Sequence, residues 1–233
     1  MSAFFSDVLD CVLSPVFLKE VGEKFHYEES RLPELSAVAE QMLPLIRSEA
    51  FWAGHKSCIW DAGENASVAY EDVVMTLGGQ IDCLQERFTQ RGQLCECYML
   101  EALASELLLR AYRAYNQYIR ENDSWHVARY HFPGSEEGFS LERLPQMLEN
   151  LTPLVACNEA FCILPKKSVV FVAELTQNEE IQCEGICLGC SSINCANRMT
   201  APSPLEKRQA DLLLNYGYSR IFGKNAVTIK TKF

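Results

Sequence analysis

Apolar residues recur three and four positions apart in the segment 34–50, which is the spacing of one face of an α-helix. They are Leu35, Val38, Ala39, Met42, Leu43 and Ile46. Pro44 lies within this predicted helix. Because proline has no amide hydrogen to donate, Pro44 is expected to kink or end the helix.

Two further helices are predicted on either side of Gly92. The first covers about 80–90, and the second is a long helix at about 94–120. The apolar face of the first consists of Ile81, Leu84 and Phe88. Neighbouring turns of the second carry Met99, Ala102, Leu103, Glu106, Leu107, Arg110 and Ala114.

β-Strands are predicted where β-branched residues are dense. The valine-rich segment 67–76 is one such strand, and Gly78-Gly79 follows it. A glycine pair before a helix can cradle an anion, but a tight turn is the preferred interpretation here.

Two apolar runs, 154–164 and 168–175, are separated by a short polar segment. Strand-forming residues on both sides of such a segment predict a hairpin. Its turn would consist of Pro165, Lys166 and Lys167. Farther along, the pattern predicts a helix at about 205–215 and a last strand at 226–231.

The segment 122–140 is rich in turn-forming and aromatic residues, so it is predicted to be a loop. Ser140 is a suitable N-cap for a short helix at 141–150. The basic residues expected in the loop are His126, Arg129 and His131.

Helices first, then a hairpin, then a cysteine-rich tail indicate an α+β fold and not a repeated βαβ sheet. We expect residues 1–180 to form the α+β domain. Residues 181–233 would form a cysteine-rich segment that packs on the same domain. The length of 233 residues fits such an arrangement.

The formal net charge of the chain is -10. An acidic surface disfavours nucleic acid and anionic membranes as partners, since both bind basic surfaces. The first residues lack the basic region that begins a signal peptide, and no stretch of about 18 apolar residues occurs. A cytoplasmic location is therefore expected.

Four of the 11 cysteines fall within thirteen residues: Cys183, Cys187, Cys190 and Cys195. Disulfides among them would close short, strained loops, whereas thiolates can converge on zinc or on an iron–sulfur cluster. Because only one C-x-x-C pair occurs, the iron–sulfur cluster is preferred, and buried or spare thiols are the alternative. Cys95 and Cys97 are expected to be structural, and Cys11, Cys58, Cys83, Cys157 and Cys162 to be core thiols.

Several segments occur in the order and at the spacing of a known family. They are 73–78 before a helix near Gln80, 100–104, the loop with Arg129, Pro133 and Gly134 before 139–141, and 158–160 before 163–169. Together with the cysteine tail up to Arg198, they resemble the activation domain of cobalamin-dependent methionine synthase, in its stand-alone form from anaerobic bacteria. The resemblance covers about residues 70–198.

The resemblance implies a fold and a role. The fold is a twisted antiparallel sheet with flanking helices. Members of the family bind S-adenosylmethionine and dock on a cobalamin-carrying partner, so the partner would be a corrinoid protein or methionine synthase. There, inactive cob(II)alamin takes up one electron and is trapped by methyl transfer from S-adenosylmethionine. An iron–sulfur cluster on the cysteines would supply or relay that electron.

The resemblance also implies part of a ligand site on the predicted loop. Arg129 matches the arginine that pairs with the ligand carboxylate, which a guanidinium can do in a bidentate way. Pro133 and Gly134 match the turn after it. Ser135 stands where the family has a tyrosine, and it is taken as the implied ligand residue at that position.

The other implied ligand residues are acidic. Leu109 stands where the long helix of the family carries a glutamate for the ligand amino group, and Glu106, one turn away, is the substitute. Glu159 matches the glutamate of the family's Thr-Glu-Ser strand, and it is predicted to lie in a strand here.

Two other functions stay open. Because Ser135 and Leu109 depart from the family pattern, the chain would instead be a non-catalytic binding or scaffold module that has kept the fold and lost the ligand. A metal or redox protein built around the cysteine tail is the third interpretation. No Ser-His-Asp set, Cys-His set, P-loop or dinucleotide motif occurs in the sequence, so no catalytic residue is assigned.

Overall fold

The computed structural model describes residues 3–59, 68–135, 139–181, 183, 186 and 227–228. Its helices are α1 (Ala3–Asp10), α2 (Pro15–Lys24), α3 (Leu32–Glu49), α4 (Gln80–Gln90), α5 (Leu94–Asn122) and α6 (Leu144–Leu151). Its strands are β1 (Phe51–Ile59), β2 (Val68–Thr76), β3 (His126–His131), β4 (Ala156–Cys157), β5 (Ile163–Leu164), β6 (Ser168–Thr176) and β7 (Val227–Thr228). Short 3-10 turns at Glu29–Arg31 and Leu141–Arg143 lead into α3 and α6.

Five strands form one sheet in the order β3-β6-β2-β1-β7, and β4 and β5 form a separate two-stranded hairpin. β3 pairs antiparallel with β6, β1 with β7, and β4 with β5. This combination of helices with an open antiparallel sheet confirms the α+β prediction. No helix in the described part of the chain is long and apolar enough to cross a membrane.

The chain divides into two compact units that interleave along the sequence. The first unit consists of Met1–Ala53, Val74–Tyr115 and Thr152–Val169, and the second of Gly54–Val73, Asn116–Leu151 and Val170–Phe233. The expected division near residue 180 stays a prediction, because most of the segment 181–233 lies outside the described residues.

The first unit is organised around α3, which contacts α1, α2 and α4. All six apolar positions predicted for its face are buried. Pro44 lies inside α3, and the helix continues past it to Glu49. A proline in a helix costs about 3 kcal/mol, and burying three or four large apolar side chains offsets that loss. Of the two expected outcomes, a kink or an end of the helix at Pro44, the end was therefore wrong.

Several helices and strands lie where the sequence predicts them. α4 and α5 occupy the predicted segments on either side of Gly92, and β2 matches the predicted strand. Ser140 caps the start of the next helical segment, since its Oγ accepts the amide of Glu142 at 3.3 Å. The described residues of the last predicted strand form β7, and the helix expected at 205–215 lies outside the described part.

A side chain of α3 caps the start of α4. The Oε2 atom of Glu49 accepts the amide of Gln80 at 2.9 Å, so a carboxylate lies at the positive end of the helix dipole. Gly78 turns the chain there with φ 90°, in a region that favours glycine. The glycine pair is thus a turn, as preferred, and the anion that it faces belongs to the protein itself.

The hairpin predicted around Pro165 was wrong. The first apolar run folds back on itself, since Ala156 pairs with Leu164 and Cys157 with Ile163. The side chain of Asn158 sets this turn, because its Oδ1 accepts the amides of Ala160 at 3.0 Å and Cys162 at 2.9 Å. β6 pairs with β3 instead.

Lys167 does more than form a turn. Its backbone carbonyl accepts the amide of Leu77 at 2.9 Å. Its ammonium group contacts the Glu101 carboxylate and lies 3.2 Å from the Ser105 Oγ on α5. These contacts fix the start of β6 within the first unit.

The cysteines outside the C-terminal cluster are less buried than expected. Cys83, Cys95 and Cys162 are exposed, and Cys11, Cys97 and Cys157 are half-buried. The prediction that Cys83 and Cys162 are core thiols was therefore wrong. Cys83 lies on the solvent-facing side of α4, whose buried face consists of Ile81, Leu84 and Phe88, and Cys162 lies in the turn between β4 and β5. The side chain of Cys58 lies outside the described part.

The turn at Gly78 generates a stability prediction. In Gly78→Ala, the new Cβ would collide with the side chain of Glu49, 2.6 Å from its Oε2, at a backbone φ of 90°. We expect a loss of about 2–4 kcal/mol in the free energy of unfolding, measured with urea. Gly92→Ala is the matched control, because Gly92 also has a positive φ but nothing within 4 Å of the added Cβ. Its expected loss is about 1–2 kcal/mol; equal losses in the two variants would contradict the role of Glu49.

Candidate functional site

Arg129 lies on β3 and not in a loop, so the prediction of a loop over 122–140 was wrong for His126–His131. Its cross-strand partner on β6 is Glu174. Residues directly opposite each other in an antiparallel pair share a face, with Cβ atoms about 5 Å apart. Both side chains are buried. The structure thus places a carboxylate of the protein beside the arginine.

His131 completes a polar cluster on this face. Its Nε2 lies 2.9 Å from Oε2 of Glu174, and both residues are buried. His131 and Arg129 are two positions apart on a strand, so they point to the same side of the sheet. We call Arg129, His131 and Glu174 the β3–β6 cluster. A buried carboxylate is costly unless it is paired, and His131 supplies a partner for Glu174.

A shift in the strand pairing brings His126 onto the same face. Val127 pairs with Leu175 and Arg129 with Glu174, so one residue of β3 is extra between them. His126 pairs with Thr176, which is two residues from Glu174 and therefore faces the same way. Its Nε2 hydrogen-bonds with the backbone oxygen of Asn178 at 2.8 Å. Both loop histidines of the sequence prediction are therefore buried strand residues.

The turn after β3 is formed as the sequence suggests. Gly134 has φ 78°, and its amide donates to the Phe139 oxygen at 2.6 Å. Pro133 precedes it in the same turn. The Ser135 hydroxyl donates to the Phe132 oxygen at 2.8 Å, so this side chain stabilises its own turn.

Glu106 lies in the first unit and is already paired. Its Oε2 is 2.7 Å from the Lys24 ammonium, and its Oε1 is 3.9 Å from the Arg110 guanidinium. The Glu106 side chain is only 7% exposed. Arg110 also contacts Glu20 and lies over the ring of Phe17 at 4.7 Å. These contacts tie α2 to α5, so Glu106 has a structural role whether or not it meets a ligand.

Glu159 also lies in the first unit, in the turn between β4 and β5, and it is exposed. The expectation that it sits in a strand was therefore wrong. Its position follows from the Asn158 turn, which reverses the chain at this point. Of the predicted ligand residues, the structure gathers Arg129 and the turn 133–135 in the second unit. Glu106 and Glu159 occupy separate places in the first.

Cys183 is the one residue of the cysteine cluster within the described part of the chain. It is buried, at 4% exposure. Its amide donates to the Val127 oxygen on β3 at 3.3 Å, and its own oxygen accepts from Nδ2 of Asn116 at 2.9 Å. These bonds hold the beginning of the cysteine segment against β3.

The remaining predicted ligands, Cys187, Cys190 and Cys195, lie outside the described residues, as does Arg198. Within the described ranges, no group of three or more histidine, cysteine or acidic residues is arranged to hold a metal ion. The chemistry of the donor set itself, four thiols close in sequence, suits zinc or iron with sulfide.

A second polar group in the second unit was missed from the sequence. Burial raises the pKa of Asp72 on β2, while His55 and Arg143 oppose that rise. The folded protein therefore favours the protonated carboxyl more than the unfolded chain does. Asp72, His55 and Arg143 carry no common sequence motif, and only the fold brings them near one another.

No family model matches the chain, and no curated protein matches it either.

The pairing of Glu106 generates a second prediction. In Glu106→Gln, the partly buried Lys24 loses its carboxylate, and we expect a loss of about 1–3 kcal/mol in the free energy of unfolding. Glu20→Gln is the matched control, because Glu20 is 54% exposed and also pairs with a cation of this network. The control should lose less than about 1 kcal/mol. Urea unfolding of both variants measures the difference; a neutral Glu106→Gln would exclude the structural role.

Proposed function

We propose that this chain is an accessory protein of a corrinoid enzyme. It docks on a corrinoid-binding protein, such as methionine synthase, and supports reductive reactivation of the cobalamin there. The observation that carries the proposal is the ordered series of segments that resemble the activation domain. In this chain they fall, in order along the sequence, on the end of β2 and the start of α4, on α5, on β3 and its turn, and on the segment from the β4–β5 turn into β6.

S-adenosylmethionine is the proposed small-molecule ligand, and it supplies the methyl group that traps the reduced cobalamin. Arg129 is the proposed partner of its carboxylate. Arg129 is buried on the edge strand β3, and the 133–135 turn follows that strand. A guanidinium has five donors, so it can bind the ligand carboxylate as well as a carboxylate of the protein.

The four cysteines from Cys183 to Cys195 are the proposed site of an iron–sulfur cluster, which would supply or relay the electron. Support comes from the density of thiols and from the anchoring of Cys183 on β3. The protein is proposed to act in the cytoplasm, where such thiols are kept reduced.

A second candidate function is a docking module that has kept the fold and lost S-adenosylmethionine. Two observations favour it. Glu106, the substitute for the ligand's amino-group partner, is paired with Lys24. Arg129, the carboxylate partner, lies opposite Glu174. In this alternative the protein's own side chains satisfy the groups that would otherwise bind the ligand.

Calorimetric titration with S-adenosylmethionine separates the two candidates. The first predicts a saturable signal that Arg129→Gln weakens about tenfold or more, since a charged hydrogen-bond pair is lost. Arg87→Gln is the control, because Arg87 is exposed on α4. Circular dichroism checks that both variants are folded. No heat at millimolar ligand, with corrinoid-protein binding unchanged by Arg129→Gln, would support the second candidate and exclude the first.

The metal proposal is tested on anaerobically purified protein by visible absorption with iron, sulfide and zinc analysis. We expect a broad visible absorption and bound iron, both lost in Cys190→Ser. Cys162→Ser is the matched control, because Cys162 is an exposed thiol in the first unit, outside the clustered segment. Stoichiometric zinc without iron would remove the electron-relay role.

A further inference from the structure

Hydrogen bonds hold the chain on its way from the end of β6 to Cys183. The Oγ1 atom of Thr176, the last residue of β6, accepts the amide of Asn178 at 3.1 Å. Asn178 in turn accepts two amides: its Oδ1 accepts that of Glu180 at 3.0 Å, and its backbone oxygen accepts that of Ile181 at 3.0 Å. The course of the chain toward Cys183 is therefore set by bonds within the protein.

β3 supports the same segment. The Nε2 atom of His126 hydrogen-bonds with the backbone oxygen of Asn178 at 2.8 Å. The backbone oxygen of Val127 accepts the amide of Cys183 at 3.3 Å. β3 is the end strand of the five-stranded sheet, and an edge strand has backbone groups that the ladder leaves without a partner. Two neighbouring residues of β3 thus hold the segment, one at Asn178 and one at Cys183.

Asn116 on α5 adds a third contact, to the carbonyl group of Cys183. Its Nδ2 donates to the Cys183 oxygen at 2.9 Å, so both backbone polar groups of Cys183 are hydrogen-bonded. The other polar atom of the side chain, Oδ1 of Asn116, is buried and accepts no hydrogen bond from the described part of the chain. A buried acceptor without a partner is rare in folded proteins and calls for a reason other than stability. The bond from Asn116 to Cys183 supplies such a reason.

Cys183 itself is 4% exposed. Burial alone is also typical of a cysteine that only fills space. Cys183 differs from such a residue in its place along the chain, since three more cysteines follow within the next twelve residues: Cys187, Cys190 and Cys195. Thiolates at this density suit zinc or an iron–sulfur cluster. We call the site that these four thiols would form the cysteine centre.

A ligand that the fold holds before the metal arrives lowers the cost of forming a metal site. Without such bonds, every ligand has to be ordered at the moment of binding, whereas the backbone of Cys183 is already fixed. Residues that orient a ligand through a hydrogen bond contribute strongly to metal sites, and their loss typically lowers metal affinity about 10–100-fold. The contact of Asn116 with Cys183 is of this kind.

We propose that Asn116 is a positioning residue of the cysteine centre. Its side-chain amide fixes the carbonyl group of Cys183, and the thiolate of Cys183 is thereby presented to a metal. This inference rests on the part of the proposed function that assigns a metal to the cysteines. It does not depend on S-adenosylmethionine or on which metal is bound, because zinc and iron both take thiolate ligands.

The experiment compares Asn116→Leu with the wild type, as the reduced, metal-free full chain, with Zn²⁺ alone as the probe. Competition with a chromophoric chelator measures the zinc affinity, which we expect to fall about 10–100-fold in the variant. Asn122→Leu is the matched control, because Asn122 lies on the same helix and its Nδ2 also donates to a backbone oxygen at 2.9 Å, that of Tyr118. It should bind zinc as the wild type does, and circular dichroism checks that both variants are folded.

A second measurement separates positioning from a general loss of stability. Mass spectrometry after brief alkylation of the metal-free protein reports how fast each cysteine reacts. In Asn116→Leu the labelling of Cys183 should rise several-fold, while that of the half-buried Cys157 in the first unit should not change. Asn116→Gln keeps an amide on a longer side chain, and it should recover part of the zinc affinity.

Four outcomes would contradict the proposal. Zinc affinity that falls in Cys183→Ser and not in Asn116→Leu would exclude the role of Asn116 and leave the cysteine centre standing. Zinc affinity unchanged in Cys183→Ser would show that Cys183 is a buried thiol and not a ligand. Equal losses in Asn116→Leu and Asn122→Leu would reduce the effect to one of the helix. A wild type that binds neither zinc nor iron would remove the cysteine centre and the proposal together, while titration with S-adenosylmethionine decides the rest of the proposed function independently.

Discussion

The antiparallel ladder between β3 and β6 decides which polar side chains of the second unit meet. Its register places Arg129 opposite Glu174 and brings His131 within 2.9 Å of that carboxylate. The extra residue before Arg129 then turns His126 to the same face. Without that irregularity, His126 and Arg129 would point to opposite sides of the sheet, since side chains alternate along a strand. The position of His126 on the same face as the β3–β6 cluster therefore depends on one extra residue of β3.

Local periodicity was enough to predict the helices that have one clear apolar face. α3, α4 and α5 carry apolar residues at helical spacing, and the predicted faces of α3 and α4 are buried. β2 was equally clear, because valines are dense in it. In these elements the apolar positions are visible in the local sequence, so the element can be predicted without knowing what packs against it.

β3 could not be predicted in the same way, because the strand pattern in its sequence is short and interrupted. Turn-forming residues flank it closely on both sides, at Asp123 and at Pro133. The extra residue within it breaks the alternation by which a strand is recognised. This segment is a strand because it pairs with β6, about 45 residues farther along the chain. Pairing between distant segments produces no local pattern in the sequence. The hairpin of β4 and β5 was missed for the opposite reason, since a single side chain, Asn158, creates a turn inside an apolar run.

The types of residue in the candidate site could be predicted from the sequence, but the residues that pair with them could not. The resemblance singles out Glu106 and Arg129 as ligand residues, but the partner of Glu106 is Lys24, 82 positions earlier in the chain. Buried charges require partners, so a fold that buries a ligand residue also tends to supply it with a charge of the protein. For Glu106 that requirement is met by Lys24, with Arg110 as a second cation.

Arg129 differs from Glu106 in how many of its hydrogen-bonding groups the residue opposite it can occupy. Glu174 stands opposite Arg129 in the strand pairing and bonds His131. A guanidinium presents five donors in a rigid fork, and one carboxylate can occupy only one edge of it. Glu174 alone therefore cannot occupy every donor of Arg129. The same argument does not extend to Glu106, whose two oxygens each face a cation. Both carboxylate oxygens of Glu106 thus face cations of the protein, which weakens its proposed role as the partner of the ligand's amino group.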